Sequence, residues 1–251
     1  MQIEYHKWYS PNLGQDMELK VYGYYGKPVL VFPAQGSRFF EFEDVGMLES
    51  VAGFVEAGQV KLFTVDSVDA QSWANNGAHP ADRARRHEQY DRYIIDEVVP
   101  FMRGNSGDTG QKFITTGFSM GGYHSANFFF RHPDIFDTVI SISGLLRLNH
   151  FIGDYMDETV YFNTPLSYLP NLDDPAYLDL YRQSRIIVCV GQGAWEDEML
   201  ADARTLKHIL ERKDIPHWVD IWGGDVNHDW PWWRKMLPYF LDKLELPKFT
   251  G

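Results

Sequence analysis

Short apolar runs alternate with longer amphipathic segments along this 251-residue chain. The apolar runs are rich in β-branched and aromatic residues and end near glycine, proline or polar clusters, so they predict β-strands. These strand-like runs occupy residues 18–25, 27–32, 60–65, 112–116, 138–143, 185–190 and 218–222. Residues 81–102, 122–131 and 202–212 are helix-like between them. Such alternation predicts an α/β fold, with a mainly parallel central sheet and helices on both faces.

A candidate nucleophile lies where strand 112–116 meets helix 122–131. The connecting sequence is Gly117-Phe118-Ser119-Met120-Gly121, which has the pattern G-x-S-x-G. A strand that turns sharply into a helix leaves the central serine hydroxyl exposed, and small flanking residues relieve the crowding. The helix N-terminus also offers N–H groups to a developing negative charge. The pattern favours Ser119 as a nucleophile over a purely structural turn.

An acid and a histidine follow in the order serine, acid, histidine that is typical of α/β-hydrolases. The strand at 185–190 leads into a loop that carries Glu196 and Asp197, and the strand at 218–222 leads into a loop that carries His228. A histidine there can act as general base, and a carboxylate can orient it. Position alone does not decide whether Glu196 or Asp197 is the triad acid. Asp225 and Asp229 are further alternatives.

Composition excludes several other classes of protein. The formal net charge of −12 argues against nucleic acid and anionic membranes as partners. The sequence contains no H-E-x-x-H motif and no paired-cysteine spacing, so a metal site is not predicted. It contains no glycine-rich phosphate loop, so a nucleotide cofactor is not predicted either. The single cysteine, the absence of a signal-peptide pattern and the absence of a long apolar run lead us to expect a cytoplasmic location.

Several segments together resemble the putative esterase (esterase D-like) family of α/β-hydrolases over about residues 27–241. They are Ser119-Met120-Gly121-Gly122-Tyr123, Arg131-His132-Pro133-Asp134-Ile135-Phe136, Ser143-Gly144 and His228-Asp229-Trp230. The resemblance implies one α/β-hydrolase catalytic domain over residues 1–251, a Ser-Asp-His triad and acyl-ester chemistry on a small-molecule ester. It implies no cofactor, does not identify the ester, and leaves homo-oligomerisation open.

The resemblance also suggests which carboxylate is the acid. Asp197-Glu198-Met199-Leu200 is similar to the family's D-x-F-L segment, so Asp197 is the expected triad acid. Some relatives use glutamate, which keeps the adjacent Glu196 in consideration.

The oxyanion loop departs from the family pattern. Residues 33–36 read Pro-Ala-Gln-Gly where many relatives have His-Gly. By position, the backbone N–H groups of Gln35 and Met120 should bind the oxyanion. Pro33 has no N–H, so Ala34 and Gly36 are the alternatives to Gln35.

Residues 145–184 interrupt the strand–helix alternation with several tyrosines and prolines. This segment is expected either to be a lid, with Tyr155, Tyr161 and Tyr168 facing Ser119, or to pack as scaffold on the side of the domain. Outside it, Arg38 and Trp230 are the candidate substrate-binding residues.

The predicted function is hydrolysis of carboxylic esters through an acyl-enzyme, with Ser119, Asp197 and His228 as the triad. Two alternatives remain at the sequence level. An acyltransferase would use the same triad with an alcohol acceptor, and a non-catalytic binding protein could retain the fold.

Overall fold

The computed structural model describes residues 1–249 and is built on one eight-stranded sheet. The strands are β1 (Ile3–Ser10), β2 (Gln15–Tyr22), β3 (Lys27–Phe32), β4 (Val60–Val65), β5 (Phe113–Phe118), β6 (Phe136–Ile142), β7 (Arg185–Val190) and β8 (Trp218–Ile221). Their order across the sheet is β1-β2-β4-β3-β5-β6-β7-β8. Strands β3 to β8 are parallel, whereas β2 is antiparallel to both of its neighbours.

Helices cover both faces of this sheet. They are α1 (Glu41–Asp44), α2 (Met47–Glu56), α3 (Pro80–Tyr93), α4 (Val99–Asn105), α5 (Met120–Arg131), α6 (Asn149–Ile152), α7 (Glu158–Phe162), α8 (Pro165–Tyr168), α9 (Pro175–Arg182), α10 (Asp197–Arg212) and α11 (Trp230–Lys243). A π-helical turn at Ile94–Val98 joins α3 to α4. One apolar core lies under α3, α5 and α10, and a second lies under α2 and α11. The predicted α/β-hydrolase fold is confirmed.

Strand β1 was absent from the sequence-based prediction because most of its apolar side chains face solvent and not the core. Ile3, Tyr5, Lys7 and Tyr9 face solvent, whereas Glu4, His6 and Trp8 are half-buried. An edge strand with its apolar side chains outward gives no core-facing signal, so only its pairing with β2 reveals it.

Segment 145–184 packs in two different places. Its first half places Leu148, Ile152 and Val160 in one apolar cluster with Met120, the residue after Ser119. Its second half packs on the side of the domain, where Tyr181 is buried against Phe130. The first half therefore adjoins the nucleophile, and the second half has the position expected of scaffold.

The predicted lid tyrosines are distributed over both halves. Tyr155 hydrogen-bonds to Asp157 at 2.9 Å, and Tyr161 accepts a 3.0 Å hydrogen bond from Asn171. Tyr168 is buried in the side scaffold. A role for this segment as a lid stays a prediction.

A histidine buried between α3 and α5 should make the protein less stable below neutral pH. His87 stacks on His124 at 5.5 Å between ring centroids, and both rings are fully buried. Desolvation, reinforced by His124, holds the pKa of His87 well below its ordinary value. The unfolded chain binds a proton at His87 near pH 6.5, whereas the folded chain does not. The free energy of unfolding should therefore fall with pH below this value, by up to about 1.4 kcal/mol per pH unit.

Urea unfolding between about pH 5 and pH 7.5 tests this expectation. His87→Gln keeps an acceptor for the Asn127 amide, which lies 3.2 Å from His87 Nε2, but does not titrate. This variant should have a flatter pH dependence than the wild type. His208→Gln, on the exposed face of α10, is the matched control and should retain the wild-type slope. Equal slopes in all three proteins would show that His87 does not contribute.

Candidate active site

Ser119 occupies a strained turn between β5 and α5. Its backbone has φ +55° and ψ −117°, a left-handed conformation that costs a residue with a side chain roughly 1–3 kcal/mol. The Ser119 N–H donates to Ile142 O at 3.0 Å, and the N–H of Tyr123 donates to Ser119 O at 3.0 Å. These bonds tie the strained residue to β6 and to the first turn of α5.

The glycines of the G-x-S-x-G sequence permit close backbone contacts. A Cβ added to Gly117 would lie 2.4 Å from the backbone of Gly121. A Cβ added to Gly121 would lie 2.3 Å from Phe32 O, at the end of β3. Any larger side chain at these two positions would push β5 and α5 apart or displace β3.

His228 lies within hydrogen-bond distance of the serine. Its Nε2 is 2.9 Å from Ser119 Oγ, although the two residues are far apart in the sequence. The His228 N–H donates to Ala194 O at 3.0 Å, which joins the loop after β8 to the loop after β7. The imidazole also packs edge-to-face on Trp233 at 4.8 Å between centroids. The imidazole is therefore held where it can accept the serine proton.

Glu196 lies on the other side of the imidazole. Its side chain is fully buried, and its Oε2 is 3.5 Å from His228 Nδ1. Ser143 Oγ donates to Glu196 Oε1 at 2.6 Å, and Trp233 Nε1 donates to Ser143 Oγ at 3.1 Å. Among residues 1–249, Glu196 is the carboxylate within 4.0 Å of a His228 nitrogen.

In this placement the carboxylate that faces His228 is that of Glu196 and not that of the expected Asp197. Asp197 is the first residue of α10 and is exposed, whereas Glu196 at the preceding position turns inward. Trp195 has a left-handed φ of +68°, and this reversal of the chain aims the next side chain towards the interior. Asp225 is exposed, and Asp229 lies at the N-cap of α11.

Ser143 and Trp233 were not identified as site residues from the sequence. Ser143 has a left-handed φ of +49°, and its N–H donates to Cys189 O in β7 at 2.8 Å. Trp233 projects from the first turn of α11 into the core. Ser143 belongs to the Ser143-Gly144 segment of the family resemblance, but that segment does not indicate a contact with the acid, and no motif marks Trp233. Each residue contacts Glu196 or His228 only through the tertiary fold.

The predicted oxyanion donors lie at the carboxyl end of the sheet, one at the start of α5 and the other in the loop after β3. The Met120 N–H is at the start of α5, where amides have no acceptor within the helix. In the loop after β3, the Ala34 N–H already donates to Glu41 Oε2 at 2.9 Å. Burial raises the pKa of Glu41. Of the candidate amides in this loop, those of Gln35 and Gly36 remain after Ala34 is assigned to Glu41.

Arg38 has structural partners. Its Nε donates to Asp66 Oδ1 at 2.8 Å, and its guanidinium also pairs with Glu18. Hydrogen bonds to these carboxylates, chiefly Asp66, raise the pKa of Arg38. The pairs connect the loop after β3 to β2 and to the residue that follows β4. Contact with substrate stays a prediction for Arg38.

Trp230 packs beside the catalytic loop. The indole is half-buried, with its ring centroid 5.3 Å from Phe118 and 4.8 Å from Trp233. It thus contributes to the core behind His228, and its contact with substrate also stays a prediction.

The residues that the structure describes bear on two further expectations. Over 1–249, no three His, Cys, Asp or Glu side chains are grouped so as to hold a metal ion. Within that range no helix is long and apolar enough to cross a membrane.

Solved structures with the same fold include several esterases. A ferulic acid esterase is 15% identical, with 97% of each chain covered and a TM-score of 0.75. The fluorophosphonate-binding serine hydrolase F of Staphylococcus aureus is 16% identical, with 97% of this chain and 98% of that chain covered and a TM-score of 0.72. An S-formylglutathione hydrolase from Agrobacterium tumefaciens is 12% identical, with coverages of 96% and 93% and a TM-score of 0.75. At such identities the likeness establishes the fold alone.

A match between the sequence and a family model identifies the family of this chain. No curated protein sequence matches this chain significantly. The model of the family described as "Putative esterase" matches residues 10–244, which is most of the chain and includes Ser119, Glu196 and His228. With the elbow and the order of strands already described, this match places the chain in the putative esterase family of α/β-hydrolases, as a carboxylic ester hydrolase.

Proposed function

We propose that the protein hydrolyses small-molecule carboxylic esters through an acyl-enzyme, with Ser119, His228 and Glu196 as its catalytic triad. The observation that carries the proposal is the 2.9 Å contact between His228 Nε2 and Ser119 Oγ at a strained elbow. A serine hydroxyl is a weak nucleophile unless an adjacent base takes its proton. The paired geometry supplies that base.

In the acylation step, Ser119 Oγ attacks the ester carbonyl carbon while its proton moves to His228 Nε2. The carbonyl oxygen becomes the oxyanion of a tetrahedral intermediate. As this intermediate collapses, the bond to the alcohol oxygen breaks, and the alcohol leaves with the proton from His228. Water then repeats the attack on the acyl-serine, with His228 again as base, and releases the acid and free Ser119.

Glu196 acts through the histidine. The imidazolium that forms in each step carries a proton on Nδ1, and the buried Glu196 carboxylate faces that atom at 3.5 Å. Closing this gap to a hydrogen bond during the reaction would stabilise the positive charge where water does not screen it. The Ser143 hydroxyl donates a hydrogen bond to the other carboxylate oxygen and so fixes the orientation of the Glu196 side chain.

The oxyanion is assigned to the backbone N–H groups of Met120 and Gln35. The Met120 amide is the first of α5, so it combines a free donor with the positive end of the helix dipole. The engagement of Ala34 by Glu41 supports Gln35, with Gly36 as the adjacent alternative.

A panel of esters assayed with and without added alcohols tests the proposed reaction. Pre-steady-state assays with p-nitrophenyl esters should give a burst of nitrophenol equal to the concentration of active sites, as expected when an acyl-enzyme accumulates. The free acid should be the main product even with the alcohol present. A predominant transesterified product would make the protein an acyltransferase, and no turnover of any ester would favour a binding protein on this fold.

A further inference from the structure

Trp195 is an exposed tryptophan directly beside the proposed triad acid. Its side chain is 84% exposed, although tryptophan is highly buried on average. The next residue, Glu196, is completely buried. Two adjacent residues of this loop therefore point in different directions, Glu196 towards His228 and Trp195 into solvent.

The loop that carries Trp195 is held rigidly against the histidine loop. The N–H of Gly193 donates to Val226 O at 2.8 Å, and the N–H of Ala194 donates to Asn227 Oδ1 at 2.8 Å. The His228 N–H returns a bond to Ala194 O at 3.0 Å. These three bonds fix the backbone on which the indole is mounted relative to His228.

The indole of Trp195 adds little to the stability of the fold, although its backbone conformation is unfavourable. The left-handed φ of +68° is unfavourable for tryptophan, and an exposed indole leaves a large apolar surface in water. Strained residues of this kind cluster at ligand-binding sites, where an ordered aromatic ring can bind with little further loss of conformational entropy.

We propose that Trp195 is a specificity-determining residue that stacks on a ring in the non-reacting part of the substrate. This inference rests on the proposed ester hydrolysis, because it assigns a binding role at that same site. The ligand group needs a flat apolar face, which both aryl and pyranose rings offer. The side chains of Asp197 and Glu198, in the first turn of α10, and of Asp225, in the loop after β8, are exposed, so the ring should carry no negative charge.

Matched esters separate stacking from general hydrophobic binding. Benzyl acetate is compared with heptyl acetate for a ring in the alcohol, and ethyl 3-phenylpropanoate with ethyl nonanoate for a ring in the acyl group. A sugar ester, 6-O-acetylglucose, represents a pyranose ring. Trp195→Ala should lower kcat/KM by about 3- to 10-fold for at least one ring-bearing ester through KM, with kcat and the alkyl esters little changed. Trp195→Phe should restore most of the loss.

Tyr24→Ala is the matched control, because Tyr24 is also exposed but precedes β3 at the amino end of the parallel strands, opposite the site. It should leave every kcat/KM unchanged. Equal losses for ring-bearing and alkyl esters in Trp195→Ala would mean that the substitution distorts the Glu196 loop, which would overturn the proposal. A change of oligomeric state in this variant, measured by light scattering, would make Trp195 a subunit contact instead.

A binding measurement distinguishes failure of this inference from failure of the proposed function. In a Ser119→Ala background, benzyl acetate should quench tryptophan fluorescence at lower concentration than heptyl acetate, and Trp195→Phe should change the amplitude. Ring-selective binding without turnover in the wild type would refute ester hydrolysis but retain Trp195 as a residue that stacks on a ring of the ligand. If ester turnover depends on Ser119 but neither binding nor kcat/KM changes when Trp195 is replaced, the stacking role of Trp195 alone would be refuted.

Discussion

Replacing Ser119 with alanine should abolish ester hydrolysis, with kcat reduced by about 10⁶-fold as for nucleophile removal in other serine-histidine enzymes. Without the hydroxyl, no acyl-enzyme can form, and the base at His228 Nε2, 2.9 Å away, has no proton to remove. Steady-state kinetics on an active p-nitrophenyl ester measures the loss. A fluorophosphonate probe followed by peptide mass spectrometry should modify Ser119 in the wild type and leave the variant unlabelled.

Ser167→Ala is a suitable control, because Ser167 lies in α8 on the side of the domain. It should keep both activity and labelling at Ser119. Circular dichroism of Ser119→Ala should match the wild type. Full turnover in Ser119→Ala, or labelling at Ser37 or Ser143, would show that the elbow serine is not the nucleophile.

The elbow could be predicted from sequence because its determinants are local. Gly117, Ser119 and Gly121 lie within one turn, and their spacing reflects contacts between the end of β5 and the start of α5. The same holds for the buried strands β3 to β7, which are rich in apolar and β-branched residues, as is typical of a parallel sheet covered on both faces.

Which carboxylate faces His228 was not predictable in the same way. Glu196 and Asp197 are adjacent carboxylates, and a shift of one residue decides which of them faces His228. That choice depends on the left-handed backbone of Trp195 and on the hydroxyl of Ser143 from a different strand connection. Neither contact leaves a pattern near the acid in the sequence.

The structural partners of the two predicted substrate-binding residues were not predictable for a related reason. Arg38 is a cation near the site in sequence, but its partners Asp66 and Glu18 come from elements distant in the chain. Trp230 was expected to contact substrate from the loop after β8. It is the first residue of helix α11, and its ring packs against Phe118 and Trp233.

Replacing Glu196 with glutamine should reduce kcat by about 10⁴-fold, the loss found when a triad acid becomes an amide. Hydrogen bonding around the acid gives the physical reason. Trp233 donates to Ser143 Oγ, so the Ser143 proton is directed at Glu196 Oε1. An amide at position 196 would turn its oxygen towards Ser143 and its NH2 towards His228 Nδ1. His228 would then carry its proton on Nε2, where it cannot accept the proton of Ser119.

Asp197→Asn is the matched control, since it makes the same chemical change one residue away on an exposed side chain. We expect less than about a twofold change in kcat for this variant, because exposed charges interact weakly through water. Labelling of Ser119 by the fluorophosphonate should slow in Glu196→Gln and stay at the wild-type rate in Asp197→Asn. If the large loss occurs in Asp197→Asn instead, the loop must rearrange when substrate binds and bring Asp197 to the histidine. Comparable small effects in both variants would point to Asp225 or Asp229, because His228 would then need a carboxylate from its own loop.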